Sequence, residues 1–341
     1  MPALKERFSS SLAALRIRNV SLIIAGTIFV SWGNSFVFVS VGWLAYVVTR
    51  SATVVALAIG IRYMPLLFSP FFGVLADRIE GRVLLIATSI YMASLTSAFA
   101  LFVRYSEVQD WQIYTFMFLT GIGYAVGSPV RRTYLARSCP RELRPTALAL
   151  YRTGFEGFRI VSPAFIGIMI GLFGVEATLY AQAVVYGACM FPFFALKPVP
   201  HDTEAVRRTT PLSNLVEGIR YIRSERRILG LTMLELLLAL FGGVAVFTLL
   251  PVFSEEVLGA GAEGYGFLHT AGAIGGFLAT LLSVHLANTP GKGRIMFLAT
   301  GLAGLMLVAF SQVPWLALSL VLFAVLRGVD EVGNIMSLTM V

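Results

Sequence analysis

The chain has 341 residues, of which 57% are hydrophobic and 13% charged, with a formal net charge of +8. Ordinary soluble domains carry about a quarter charged residues, so this composition excludes one of any size. Cys139 and Cys189, with His201, His269 and His285, are too few and too scattered for a disulfide framework or a metal centre, and no metal is expected.

Ten apolar runs follow one another, at about 20–48, 53–76, 83–103, 112–130, 145–172, 175–195, 229–253, 265–287, 295–312 and 315–338. Runs of roughly 20 residues are long enough to cross a ~30 Å hydrocarbon core. In lipid every backbone group must be satisfied internally, so the spans are expected to be helices. The period-two alternation of a β-barrel is absent. Basic residues cluster before the first run and after the second, fourth, sixth and eighth. The other loops hold Arg50 and Arg104 beside Glu107, Asp110, Glu176, Glu255, Glu256 and Glu263. This alternation places the N-terminus in the cytoplasm of a multi-pass membrane protein, and it accounts for the positive charge without nucleic acid. The first run is nearly thirty residues long, too long for the core of a cleaved signal peptide, and is read as a retained helix.

In chain order, the first polar intrusion is Asn34, near the middle of span one. It is expected either to bond a neighbouring helix or to line a cavity. Arg62 stands eleven residues past Ser51, ~16 Å deep at 1.5 Å per residue. An isolated arginine there costs at least ~2.5–3.5 kcal/mol. Arg62 is therefore expected in a fixed ion pair that locks helices, or at an anion- or proton-linked site. Pro65 should kink or end its helix. Between spans two and three lies Gly73-Val74-Leu75-Ala76-Asp77-Arg78-Ile79-Glu80-Gly81-Arg82, a short polar hinge.

Span five holds Arg152, Glu156 and Arg159 at i, i+4 and i+7, on one helix face. A carboxylate between two arginines stays ionised, so Glu156 is expected to be a poor proton carrier. Gly121, Gly123 and Gly127 in span four, Gly167 and Gly171 in span five and Gly272, Gly275 and Gly276 in span eight are expected to let helix backbones approach. Residues 198–228 form a long connection. Within it Leu212, Leu215, Val216, Ile219 and Ile222 predict an amphipathic helix along the membrane surface. Glu235, ~10 Å inside span seven with no basic neighbour on its helix, is the leading proton-carrier candidate. Gly259-Ala260-Gly261-Ala262-Glu263-Gly264 matches a dinucleotide fingerprint in letters alone, since no strand precedes it. In span ten Arg327 can pair with Asp330 or Glu331, as a structural cluster or as a gate or coupling site.

The Asp77-Arg78 loop, with Gly73 upstream and Gly81-Arg82 downstream, resembles the signature loop of the major facilitator superfamily. Glu80 is one residue more than that pattern has, and Val83 stands where a basic residue is common. Val41-Gly42-Trp43-Leu44, Arg50-Ser51-Ala52, Arg62-Tyr63-Met64-Pro65, Leu249-Leu250-Pro251-Val252-Phe253 and Gly264-Tyr265-Gly266 recur in this order in its drug and siderophore exporter branch. Arg132 also resembles an arginine of that branch. Ser162-Pro163-Ala164-Phe165-Ile166-Gly167 is similar to the antiporter signature, with Ser162 in place of a glycine.

The resemblance implies an all-α membrane protein with two pseudo-symmetric six-helix halves. The N-terminal half would span 1–197, the linker 198–228 and the C-terminal half 229–341, with the last two of twelve helices missing. It implies a monomeric secondary transporter of a bacterial inner membrane that exports small amphipathic molecules by proton antiport. The proton gradient is its energy source, no cofactor is needed, and its partners are a small-molecule substrate and lipid. Asp77 and Arg78, with Gly73 and Arg82, would close the cytoplasmic side. An uptake carrier for a small organic solute and a non-transporting scaffold or sensor are the alternatives. No nucleophile–base constellation is found at membrane depth, so no catalytic residue is expected.

Overall fold

The computed structural model describes residues 11–68, 71–72, 79–199, 220, 223–224, 229–230, 233, 244–286 and 291–338. Gly73, Asp77, Arg78 and Glu235, and most of the linker with its predicted surface helix, lie outside the described residues.

Every regular element among the described residues is helical. α1 (Arg18–Phe36) runs through a π-turn at Val37–Val41 into α2 (Gly42–Thr49), giving one apolar span of 32 residues. α3 (Ala52–Tyr63) gives way to a 3₁₀ turn at Met64–Phe68 that contains Pro65. Proline has no N–H for the helical ladder, which is why the α-helix ends there. α4 covers Gly81–Tyr105 and α5 Asp110–Arg137, the latter started by reciprocal Gln109 and Gln112 side-chain caps. α6 (Arg144–Ala188) joins the fifth and sixth apolar runs without a loop, its axis broken at Gly174, where φ is 78°. A left-handed residue at that corner favours glycine. α7 (Met190–Phe194), α8 (Val244–Val252), a second π-turn (Phe253–Val257), α9 (Gly261–Leu286), α10 (Lys292–Ser311) and α11 (Leu316–Leu338) complete the described elements.

Six helices among the described residues are long and apolar enough to cross a membrane. Their exposed sides are greasy: Leu172, Phe191, Phe297 and Leu305 are each at least 66% exposed. In water such surface is a liability; against acyl chains it is the natural outer face of a spanning helix.

The chain forms two compact units that are not contiguous in sequence. The first comprises Met1–Val41, Leu57–Arg159 and Val175–Val216. Here α4 packs on α5, with Phe99 and Phe116 stacked 4.0 Å apart. Gly26 and Gly33 of α1 leave room for the rings of Phe193 and Tyr186. The carbonyls that end α7 are taken by donors from three other helices. Arg82 Nη2 donates to Phe194 O at 2.7 Å and Tyr134 Oη to Lys197 O at 2.7 Å. Asn19 clasps Lys197 in both directions, donating to its carbonyl at 3.0 Å and accepting from its N–H at 2.9 Å. Helix ends carry unpaired carbonyls, and cationic or amide donors are their usual answer.

The second unit comprises Gly42–Ala56, Ile160–Gly174 and Glu217–Val341. α9 and α11 form its centre, with α10 against α11. Two of the expected glycine contacts, at Gly167 and Gly275, are close. A methyl on Gly167 would lie 2.6 Å from Ala262 O and 2.9 Å from Gly266 Cα. One on Gly275 would run into the Ala324 backbone. Beside Pro163, the Ala164 N–H donates to Thr270 Oγ1 at 3.0 Å. Trp43 stacks on Tyr265 at 6.0 Å, Tyr46 Oη donates to Glu256 at 2.7 Å, and Arg50 faces Glu255 at 3.9 Å.

Gly276, by contrast, has nothing within 4 Å of an added methyl. Gly167→Val and Gly275→Val should each destabilise the detergent-solubilised protein by about 1–3 kcal/mol, read as a lower Tm. Gly276→Val, tested alongside, should leave Tm unchanged.

Candidate functional site

The densest buried polar group lies inside the first unit, where α1, α3, α5 and α6 converge. Arg62 Nη2 donates to Asn34 Oδ1 at 2.5 Å, and the guanidinium sits 4.6 Å over the Phe38 ring. Asn34 thus does both things expected of it. It bonds a neighbouring helix and also lines a cavity of about 20 Å³ with Thr88, Ser89, Tyr124, Arg131 and Tyr186. That is room for a water or a single polar oxygen.

These side chains are buried deeply: Asn34 is 7% exposed, Arg62 3%, Arg131 4% and Tyr186 2%. Two of them keep a buried donor without a partner among the described residues: Asn34 Nδ2 and Arg131 Nε. No ion pair joins either arginine to a carboxylate among the described residues. Tyr186 lies within electrostatic reach of both guanidinium groups. Glycines make the crowding possible: Gly33 lies under the Tyr186 ring, Gly121 against the Arg62 carbonyl, and Gly127 beside Arg131 Nη1.

Arg131 and Tyr186 did not stand out in the sequence. The fourth apolar run reads as ending near residue 130, which makes Arg131 look like a loop charge. α5 continues to Arg137 and buries it. A basic residue two positions after Pro129, within unbroken helical spacing, was the available signal.

The other sequence candidates are distributed over both units. In the first, Arg159 Nη1 donates to Glu156 Oε2 at 2.9 Å, a pair that is more than half exposed, while Arg152 is exposed and stands outside it. The carboxylate is therefore held by the arginine at i+3. In the second unit Arg327 pairs with Asp330, and its guanidinium lies 4.8 Å over the Phe247 ring. Phe247 also stacks on His269 at 5.1 Å, and Tyr265 meets that imidazole edge-on at 4.7 Å. Glu331 is half-buried on the same helix. In the sequence His269 counts only as one of three scattered histidines, although Tyr265 and His269 stand one turn apart. Ser162, 2% exposed, Pro163 and Gly167 lie along the seam with α9, Pro163 and Gly167 against Gly266.

Asn34→Ala removes the amide oxygen to which the buried Arg62 donates. It should destabilise the solubilised protein by about 1.5–3 kcal/mol, measured as a lower Tm.

Comparison with known proteins bears on this geometry. The family profile described as Major Facilitator Superfamily matches residues 22–341. The chain is 25% identical over 282 residues to the staphyloferrin A transporter of Staphylococcus aureus, covering 81% of this chain and 69% of that protein. It is 26% identical over 181 residues to the enterobactin exporter EntS of Escherichia coli, covering 53% and 42%. To macrolide efflux protein A of Streptococcus pyogenes it is 24% identical over 213 residues, covering 61% and 52%. The chain thus matches between about two fifths and two thirds of the length of these relatives. Among solved structures, the nucleoside transporter NupG superposes with a TM-score of 0.73 at 13% identity, covering 94% of this chain and 80% of that one. The D-xylose-proton symporter gives 0.67 at 14%, covering 95% and 82%.

Proposed function

Because the chain belongs to the Major Facilitator Superfamily, we propose that it is a secondary active transporter exporting a small amphipathic molecule of the drug or siderophore type by proton antiport. The observation that carries this reading is the buried cluster of Asn34, Arg62, Arg131 and Tyr186. Four membrane helices bring together buried polar side chains, two of them arginines with no carboxylate partner among the described residues. Intramembrane polar groups are expensive, and where no structural partner is found for them they mark a solute or ion path. Export over uptake is supported by the exporters and efflux proteins among the relatives.

The rest of the mechanism follows from placing these residues in an alternating-access cycle. Gly73, Asp77, Arg78 and Arg82 close the cytoplasmic side, in a bacterial inner membrane with the N-terminus cytoplasmic. The donation from Arg82 to the Phe194 carbonyl anchors the start of α4 beside that loop. Proton coupling falls first to Glu235, then to Asp330 and Glu331, with Glu156, already paired to Arg159, ranked last. Two ion pairs with an arginine of the same helix are formed, Glu156 with Arg159 and Asp330 with Arg327, so protonation would release a cation to move. Ser162, Pro163 and Gly167 support antiport through their likeness to the antiporter signature. The transporter works as a monomer. Uptake of an organic solute on the same fold is the second reading, favoured by two buried arginines without a carboxylate partner among the described residues.

In inverted membrane vesicles containing the protein, a proton gradient should drive accumulation of at least one of a carboxylate-bearing dye, a macrolide and a catecholate siderophore. An uncoupler should abolish it. Accumulation only in right-side-out vesicles would favour uptake. Asp77→Asn and Arg78→Ala should each lower the initial rate about tenfold or more, the scale set by losing one partner of a gate-closing charge pair. Full activity in both variants would remove these residues from the gate.

A further inference from the structure

Two arginines buried in one helical unit, with no carboxylate for either, leave a charge problem that the protein does not solve with its own described side chains. Among the described residues Arg62 is met by neutral groups: the Asn34 amide oxygen, the Tyr186 hydroxyl and the face of Phe38. Arg131 has Nε unpartnered and lines the same cavity as Asn34 and Tyr186. Two groups that line that space, Arg131 Nε and Asn34 Nδ2, are donors without a partner among the described residues, and Arg62 stands behind them, joined to Asn34 and to Tyr186. A neutral solute offers such a set both donors and acceptors. An anion offers acceptors alone, and it neutralises buried positive charge.

We propose that Arg62, Arg131, Asn34 and Tyr186 form an anion-binding subsite that takes a carboxylate of the transported molecule. The space, about 20 Å³, suits the oxygen of a head group and excludes an aromatic body. The ligand therefore inserts its charged end and leaves its apolar part outside the subsite. Arginine suits this role better than lysine because its guanidinium can reach a carboxylate oxygen with one N–H while another stays bonded, as Arg62 Nη2 is to Asn34. Asn34 orients Arg62 through the 2.5 Å bond and can itself donate through Nδ2. This assignment rests on the transporter reading and adds the chemical class of the substrate: an amphiphile bearing a carboxylate.

The test is a binding measurement, so it does not depend on transport. Purified protein in phosphatidylcholine nanodiscs is titrated with 1-naphthoate and with its neutral amide, 1-naphthamide. The acid should bind about tenfold or more tightly than the amide, the gap expected when charge-assisted bonds are lost. Arg62→Gln and Arg131→Gln should each close that gap by lowering affinity for the acid alone. Asn34→Asp places a carboxylate inside the cluster. It should fold with a Tm at or above the parent's and lose the preference for the acid, which keeps the test decisive if the arginine variants do not fold.

Equal binding of acid and amide by the parent, or an undiminished preference in folded Asn34→Asp, would overturn the proposal. Displacement of 1-naphthoate by millimolar inorganic phosphate or by added phosphatidylglycerol would also overturn it, giving the site to a free anion or a lipid head group. Failure of the vesicle experiment with an intact acid preference would sink the export reading and leave the subsite standing. Dye transport without that preference would do the reverse.

Discussion

A guanidinium cannot be left bare in hydrocarbon, and much of the first unit is arranged around that fact. Arg62 lies in the middle of an apolar span, where an unpartnered charge costs several kcal/mol. The bond from Arg62 to Asn34 fixes the position of α3 against α1. Gly121 lets α5 come up against the Arg62 carbonyl, and Gly33 lets Tyr186 lie across α1. Each glycine gives up helical stability in isolation, yet each lets a polar group reach the same small volume. The cluster and the close packing around it are one feature seen from two sides.

The second unit relies on a different constraint. Its helices meet backbone to backbone, Gly167 on Gly266 and Gly275 on Ala324. Between apolar helices in lipid there is little hydrophobic drive, so dispersion contacts at short range carry association. Polar bonds then fix the register: Thr270 to the Ala164 N–H beside Pro163, and Tyr46 to Glu256. Aromatic contacts among Phe247, His269, Tyr265 and Trp43 fill the space between them. A surface held by small residues and a few directional bonds is well suited to being made and broken in a transport cycle.

How much of this could be read from residues alone depends on the range of the interaction. The spans were legible because lipid demands long apolar runs, and the described helices follow the runs closely, from Arg18–Thr49 to Leu316–Leu338. The depth of Arg62 was legible by counting residues at a fixed rise. Its partner was not, because Asn34 lies 28 positions away on another helix. Arg131 was hidden for a local reason: a basic residue at a helix end looks the same whether it faces water or a cavity. The helix end was misjudged by about two turns, and that reversed its meaning. Glu156 has equal claim in sequence on Arg152 and Arg159; rotamer geometry favoured Arg159. The glycine spacing gave Gly167 and Gly275 correctly but could not tell Gly275 from its neighbour Gly276, which points at open space.

The way the chain threads its two compact units limits how this protein can be divided. Gly42–Ala56 and Ile160–Gly174 come early in the sequence, yet they belong to the unit that contains α8 to α11. A cut anywhere in 198–228 would strip that unit of Trp43, Tyr46, Pro163 and Gly167. A gene split there would therefore yield a C-terminal fragment that is incomplete until its other piece is made in the same membrane.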